Sequence, residues 1–256
     1  MSNLMTASPI LKSPSFDTVG ARLSGEVKSI VALSEGERGE MYGLLASYFA
    51  NTSRQQFERD LAEKEWAILL RDAANRVQGF STLMRMNLTI DDEPAVVFFS
   101  GDTIIAREYW GETALPRLWG RHVFSLADPI EDARVYWFLI CSGYKTYRYL
   151  PLFFREFFPS YERLTPAPVK QMLDQLGQLK FGDEYDADGG VIRFRQASPL
   201  QSGVAEVTPQ RLKDPHVNFF INANPGHVDG DELACLAELS RANLTPAGRR
   251  MVGESE

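Results

Sequence analysis

Arg107, Gly111, Thr113 and Ala114 fall in a short stretch that joins an apolar segment, Ala95 to Ile105, to a helix-like one, Leu115 to Phe124. A strand, a glycine-containing turn and a helix start present backbone N–H groups to a phosphate, and the helix dipole adds about half a positive charge there. Just upstream, Ser100-Gly101-Asp102 interrupts the apolar segment. Gly101 is expected to mark a bulge that frees a backbone N–H, or else a strand-edge turn. Asp102 is the first candidate for a general base and Glu108 the second. Past the next apolar run, Tyr144-Lys145-Thr146-Tyr147-Arg148 sets hydroxyls and cations at a strand end, a favoured place for a site in such sheets. Tyr144 or Tyr147 would supply an acid, or be a core tyrosine with its hydroxyl at the surface. Lys145 and Arg148 would meet a phosphate or an acidic surface, or cap the strand as part of a polar loop.

The elements that must hold these residues are legible in outline. Glu26–Leu33 reads as a first strand. Ser34 with Glu37 forms a capping box that opens a helix through Met41, Leu45 and Phe49, and Thr52 or Ser53 caps a second helix. Trp66–Leu70 is a strand with its turn at Asp72–Asn75. Val77–Leu88 and Ala95–Ile105 form a long antiparallel hairpin with its tip at Thr89–Pro94. Ala133–Cys141 is almost continuously apolar, as a central strand buried on both faces should be. Pro151 suits the first turn of a helix carrying Phe153, Phe154, Phe157 and Phe158. Beyond Tyr161 the pattern predicts a helix over Pro168–Leu179, an acidic loop over Phe181–Gly190 and a short strand at Val191–Arg195. Helix starts follow at Thr208-Pro209 and Asp214-Pro215. A last strand is expected over Leu233–Leu239 and a closing helix over Leu244–Met251.

Composition narrows the classes. Hydrophobic residues make up 44% of the 256 and charged residues 24%, ordinary for a globular protein. A net charge of −7 argues against a general nucleic-acid surface. The longest apolar runs, such as Val135–Cys141, are too short to span a bilayer, and Met1–Ser15 carries no basic-then-apolar signal pattern. Cys141 and Cys235 sit in apolar runs and read as reduced, buried thiols of a cytoplasmic protein. No metal is expected. His122, His216 and His227 are scattered, and Asp183, Glu184, Asp186 and Asp188 lack the glycine and glutamate spacing of a calcium loop.

The order strand, helix, helix, strand, long hairpin, glycine turn and helix, buried strand, helix resembles the GNAT superfamily of N-acyltransferases over about residues 26–164. The resemblance implies an α/β (α+β) fold with a mixed, mostly antiparallel sheet flanked by helices. Residues 1–25 would be an arm, and residues 165–256 a C-terminal extension that completes the sheet or forms a small subdomain. It further implies that the end of the second hairpin arm, with Ile104 and Ile105, and the turn with Arg107, Gly111, Thr113 and Ala114 bind a pantetheine donor. The next strand would splay away to make room for it. Trp110 and Glu112 stand where the family's turn has small residues and would crowd and repel a pyrophosphate, which suits delivery by acyl carrier protein; acyl-CoA is the other donor that the resemblance implies.

From Tyr136 to Tyr161, 11 of 26 residues are aromatic, against 11% of the whole chain. They form either a packed core or, with Trp110 and Trp119, a wall for a fatty acyl chain, in which each buried methylene contributes about 0.8 kcal/mol. The expected activity is transfer of an acyl group, fatty by this reading, to a primary amine of a small molecule or of a peptide Lys or ornithine. The alternative is a GNAT-like binding module without activity.

Overall fold

The computed structural model describes residues 15–16, 22–90 and 93–254. Most of the expected arm, and residues 91–92 of the hairpin tip, lie outside the described residues. Two residues of that arm region form strand β1 (Ser15–Phe16), which pairs with β2 (Ser24–Ser29). The first full strand therefore starts and ends earlier than the sequence pattern suggests. Its apolar tail, Ile30 to Leu33, turns instead into a 3-10 segment, because Ile30 and Leu33 are buried beneath the first helix.

That helix, α1 (Glu35–Ala46), begins at the expected capping box: the Glu37 N–H donates to Ser34 Oγ and the Ser34 N–H to Glu37 Oε2. Ser53 caps α2 (Arg54–Ala62). The strands β3 (Trp66–Arg71), β4 (Val77–Ile90) and β5 (Glu93–Ile105) then run antiparallel. After the turn come α3 (Ala114–Ala127) and β6 (Arg134–Cys141). The helices α4 (Tyr144–Tyr147) and α5 (Tyr149–Phe153) follow. The helix expected from Pro151 onward thus starts earlier and stops at Phe153. Phe154 and Phe158 leave it to bridge to Leu244 and Leu236, which buries both rings.

The remaining chain completes the same sheet. After α6 (Ala167–Phe181), the expected acidic loop is a small hairpin of β7 (Tyr185–Asp186) and β8 (Val191–Ile192). It is held by the Tyr185 hydroxyl donating to Asp174 and by an Arg193–Asp186 ion pair. Asp214 caps α7 (Pro215–Ala223), β9 (Glu232–Glu238) follows, and Thr245 caps α8 (Pro246–Val252). Thr208-Pro209 leads only to a 3-10 turn at Arg211–Lys213.

The nine strands lie in the order β1-β2-β3-β4-β5-β6-β9-β8-β7. Every neighbouring pair is antiparallel except β5 and β6. This is the mixed, mostly antiparallel α/β architecture expected, with its hairpin, turn, helix and next strand in sequence. Alternation along β6 explains its unbroken apolarity. Val135, Trp137, Leu139 and Cys141 join α3, α7 and α8 on one face, while Tyr136 and Phe138 meet Met172, Leu173 and Leu176 of α6 on the other. A third cluster packs α1 and α2 on Ala67, Leu69, Phe80 and Ile104. Among the described residues no helix is long and apolar enough to cross a membrane.

Two irregularities shape the region of interest. Ser81 pairs with Thr103 and Leu83 with Ser100, so Gly101 and Asp102 together oppose the single residue Thr82. This is the expected bulge. In addition, the parallel pairing of β5 with β6 ends at Ser100 and Leu139, while β5 continues along β4 to Ile105 and β6 along β9 to Cys141. The two central strands therefore part directly beyond the bulge.

Candidate active site

A cleft of about 1570 Å³ opens where β5 and β6 part. A single small-molecule site usually takes about 300–1,000 Å³, so this one has room for two reactants. Its walls come from both arms of the split, Gly101–Ile105 and Ile140–Lys145, and from α2, the turn before α3, α5 and the segment 194–211.

Asp102 lies in this cleft at the bulge. Burial pushes its carboxyl up to about 6; the nearby Lys64 cation opposes the shift and the Asp60 charge adds to it. Lys64 is itself nearly buried, donates to the Asp60 carbonyl at 2.9 Å, and is held below its ordinary value by burial and by Lys180. A Cβ at Gly101 would stand 2.6 Å from Thr82 Oγ1 and 2.8 Å from Lys64 Cε, so a side chain there would displace one or both of them. A second carboxylate, Glu232 at the start of β9, lines the same cleft. Burial pushes it up to about 7, against a hydrogen bond from Ser142 and with the Asp102 charge adding.

The tyrosines separate. Tyr144 lines the cleft. Tyr147 does not: it is fully buried between α4 and α7, its ring packs against Phe157, Phe219 and Phe220, and its hydroxyl donates to the Pro159 carbonyl. The helical turn that exposes Tyr144 to the cleft rotates Tyr147 into the core, so Tyr147 is not in reach of a reactant. Tyr149 instead faces the cleft, stacked on Phe153, and burial holds its phenol above the ordinary value. Glu108 is likewise outside the cleft. It sits exposed on a 3-10 turn, Arg107–Tyr109, and its carbonyl accepts from Arg22.

The turn before α3 keeps its expected geometry with altered side chains. Gly111 has a φ of +96°, a conformation that L side chains rarely adopt. Thr113 makes no side-chain cap at the start of α3, and Gly111, Thr113 and Pro116 line the cleft. Ala114, one residue on, is buried in the core rather than exposed to the cleft. The bulky and acidic residues, Trp110 and Glu112, also line the cleft, and both are engaged by neighbours. Trp110 Nε1 donates back to the Ile105 carbonyl, and its ring lies between the Arg107 guanidinium and Lys145 Nζ, the latter 3.4 Å from the ring centre. Glu112 is paired with Arg22 at 2.9 Å. Ile104 and Ile105 line the cleft.

Lys145 and Arg148 both border the cleft and both have partners. Lys145 donates to the Val204 carbonyl at 2.6 Å, and burial with the charges of Arg107 and Arg211 holds it below its ordinary value. Arg148 pairs with Asp214 at 3.1 Å. Residues 199–204 form a strap between the two walls. Ala50 N–H donates to Pro199, Gln201 N–H to Tyr48, the Arg107 guanidinium to Gly203 and Lys145 to Val204.

Glu232, Tyr149, Lys64 and the strap were not legible as site features. Glu232 carries one signal, a carboxylate placed directly before the apolar run Leu233–Ala237. The others are brought in by packing between distant segments. The aromatic run divides as well: Trp137, Tyr147, Phe154 and Phe157 are core, while Tyr144, Tyr149 and Phe153 border the cleft. Cys141 and Cys235 are buried free thiols with their sulfurs 4.0 Å apart. Among the described residues no group of His, Cys, Asp and Glu could hold a metal ion.

No protein-family model matches the sequence and no curated protein matches it. Among solved structures the chain is similar to a probable N-acyltransferase from Enterococcus faecalis V583, at 15% identity over 52% of this chain and 33% of that one, with a TM-score of 0.39. It thus spans a third of that protein's length. It is similar also to a GNAT-family N-acetyltransferase from Escherichia coli in complex with CoA, at 11% identity, 57% and 71% coverage and a TM-score of 0.35. A third is glucosamine-6-phosphate N-acetyltransferase from Arabidopsis thaliana, at 8% identity, 56% and 96% coverage and a TM-score of 0.36.

Proposed function

We propose that this GNAT-like chain is an N-acyltransferase that moves an acyl group from a pantetheine thioester, carried by CoA or by acyl carrier protein, to a primary amine. The observation that carries this reading is the joint position of Asp102 and the bulge at the point where β5 and β6 part. A base, a backbone irregularity and an open slot between strands coincide there.

The pantetheine arm would lie in the slot along Ile104 and Ile105, with Gly111, Thr113 and the start of α3 toward the phosphates. Arg107, Lys145, Arg148 and Arg211 would add positive charge at the mouth. An acceptor arriving as an ammonium ion is drawn by Asp60, Asp102 and Glu232. Asp102, with a carboxyl raised to about 6, takes the ammonium proton directly or through Glu232, and a base near the working pH is the efficient kind. The neutral nitrogen attacks the thioester carbonyl carbon, a C–N bond forms, and a backbone N–H at the bulge stabilises the oxyanion. Collapse breaks the C–S bond, the thiolate takes a proton from Tyr149 or Tyr144, and the second proton released by the acylated nitrogen passes through the cleft to restore the phenol. Amine and thioester become amide and thiol, with no change of oxidation state. The acceptor class is an amino acid, a polyamine, or a Lys or ornithine side chain of a peptide, which the size of the cleft accommodates.

Native mass spectrometry with acyl-CoA and acyl carrier protein ladders tests this reading. Retention of one donor class supports it and identifies the carrier. No retention across both ladders refutes it.

A further inference from the structure

The main cleft continues into a small apolar side cavity of about 40 Å³ beneath the bulge. The two spaces share Gly101, Thr103, Ile140, Tyr149 and Met251 in their walls, so a group anchored at Gly101 can point from one into the other. The far end is closed by Trp119 of α3 and Trp137 of β6, whose ring centres are 4.4 Å apart. Both indole N–H groups donate to one acceptor, Ser100 Oγ, at 3.1 and 2.9 Å. A hydroxyl oxygen has two lone pairs, so Ser100 can accept from both rings at once. Ser100 is itself buried. This accounts for a polar residue at the end of the paired, apolar part of β5: it fixes two large rings as a rigid floor.

We propose that this side cavity receives the acyl group of the donor and that Trp119 and Trp137, held by Ser100, limit that group to a short chain. The proposal rests on the acyltransferase reading above. A water-sized group needs about 10–15 Å³ by this measure, so the cavity takes about three such groups. That matches an acyl chain from acetyl to about butyryl and stops short of a fatty chain. The aromatic segment then acts as a stop at the end of a short pocket, not as the lining of a long tunnel.

The test is the affinity of the whole protein for free CoA and for acetyl-, butyryl-, octanoyl- and palmitoyl-CoA, measured by titration calorimetry, with the same acyl chains on carrier protein. The wild type should bind butyryl more tightly than acetyl by about fourfold per accommodated methylene, with affinity dropping by octanoyl. Trp119→Phe shortens the floor. Met251→Ala opens the opposite wall from the C-terminal helix and keeps the test available if the first variant does not fold. Either variant should move the optimum toward octanoyl by at least about tenfold relative to butyryl, and Trp119→Phe, whose ring lies outside the main cleft, should do so with free CoA unaffected. Affinity that rises steadily to palmitoyl in the wild type, or an optimum that neither variant moves, overturns the short-chain assignment and leaves the acyltransferase reading standing. Failure of every donor to bind overturns both.

Discussion

Asp102 and Glu232 stand on strands that are not neighbours, β5 and β9, yet line one cleft, and the Asp102 charge helps to raise Glu232. Between them runs β6, which parts from β5 at Ser100 and Leu139 and stays paired with β9 to Cys141. The same split that opens the cleft thus brings two carboxylates with raised values, about 6 and about 7, into one volume.

Activity should follow their ionisation. A base must be deprotonated to act, so turnover of a thioester with a primary-amine acceptor should climb with pH through about 6 to 7. Asp102→Asn should lower the rate by about 10²–10⁴, and Glu232→Gln should shift the remaining limb. A wild-type profile flat from pH 5 to 8 would remove Asp102 from this role.

The same carboxylate should weaken the fold at high pH. Its folded value lies above the ordinary 3.8, so the folded state binds the proton more tightly and stability declines as pH rises from about 4 through about 6. Asp102→Asn should therefore raise the melting temperature at pH 8, by roughly 1–3 kcal/mol of stability, while turnover collapses. Equal melting of the two proteins at pH 8 would show that the carboxylate is well solvated.

Glu37 should behave in the opposite sense. Burial pushes it up, but hydrogen bonds from Lys28 and from Ser34 outweigh this and bring it to about 2, and Arg71 adds an ion pair. Stability from this group is present above about 4.5 and is lost as pH falls toward 2. Glu37→Gln should cost roughly 2–3 kcal/mol at pH 7, and its melting curve should converge with the wild type's in acid.

Tyr149 and Tyr147 should divide function from packing. Tyr149→Phe should reduce turnover with little change in melting. Tyr147→Phe loses a hydrogen bond to Pro159 and should cost about 1 kcal/mol of stability, with the smaller effect on rate. Reversal of that pattern in thermal melts and rate measurements would reassign the acid.

The strap is a local prediction. Arg107→Ala removes the guanidinium bond to Gly203 and should raise amide exchange over residues 199–204 without altering exchange in β4 to β6. Unchanged exchange there would mean that the bonds at Pro199, Gln201 and Val204 hold the strap without Arg107.

Much of the architecture follows from local chemistry. The capping box at Ser34 and Glu37, the apolar hairpin, the continuous apolarity of β6 and the glycine turn at Gly111 each depend on residues close in sequence, and each lies where its pattern predicts. The interruption Ser100-Gly101-Asp102 was legible as a bulge with a carboxylate for the same reason. Side-chain direction in the short helix after β6 was not. One residue sets whether a hydroxyl meets the cleft or the core, and packing against α7 chose the core for Tyr147. Glu232, Lys64, the strap and the Trp119–Ser100–Trp137 floor depend on segments far apart in sequence. Periodicity reports which residues share an element's face; only the sheet order and the packed helices decide which faces meet.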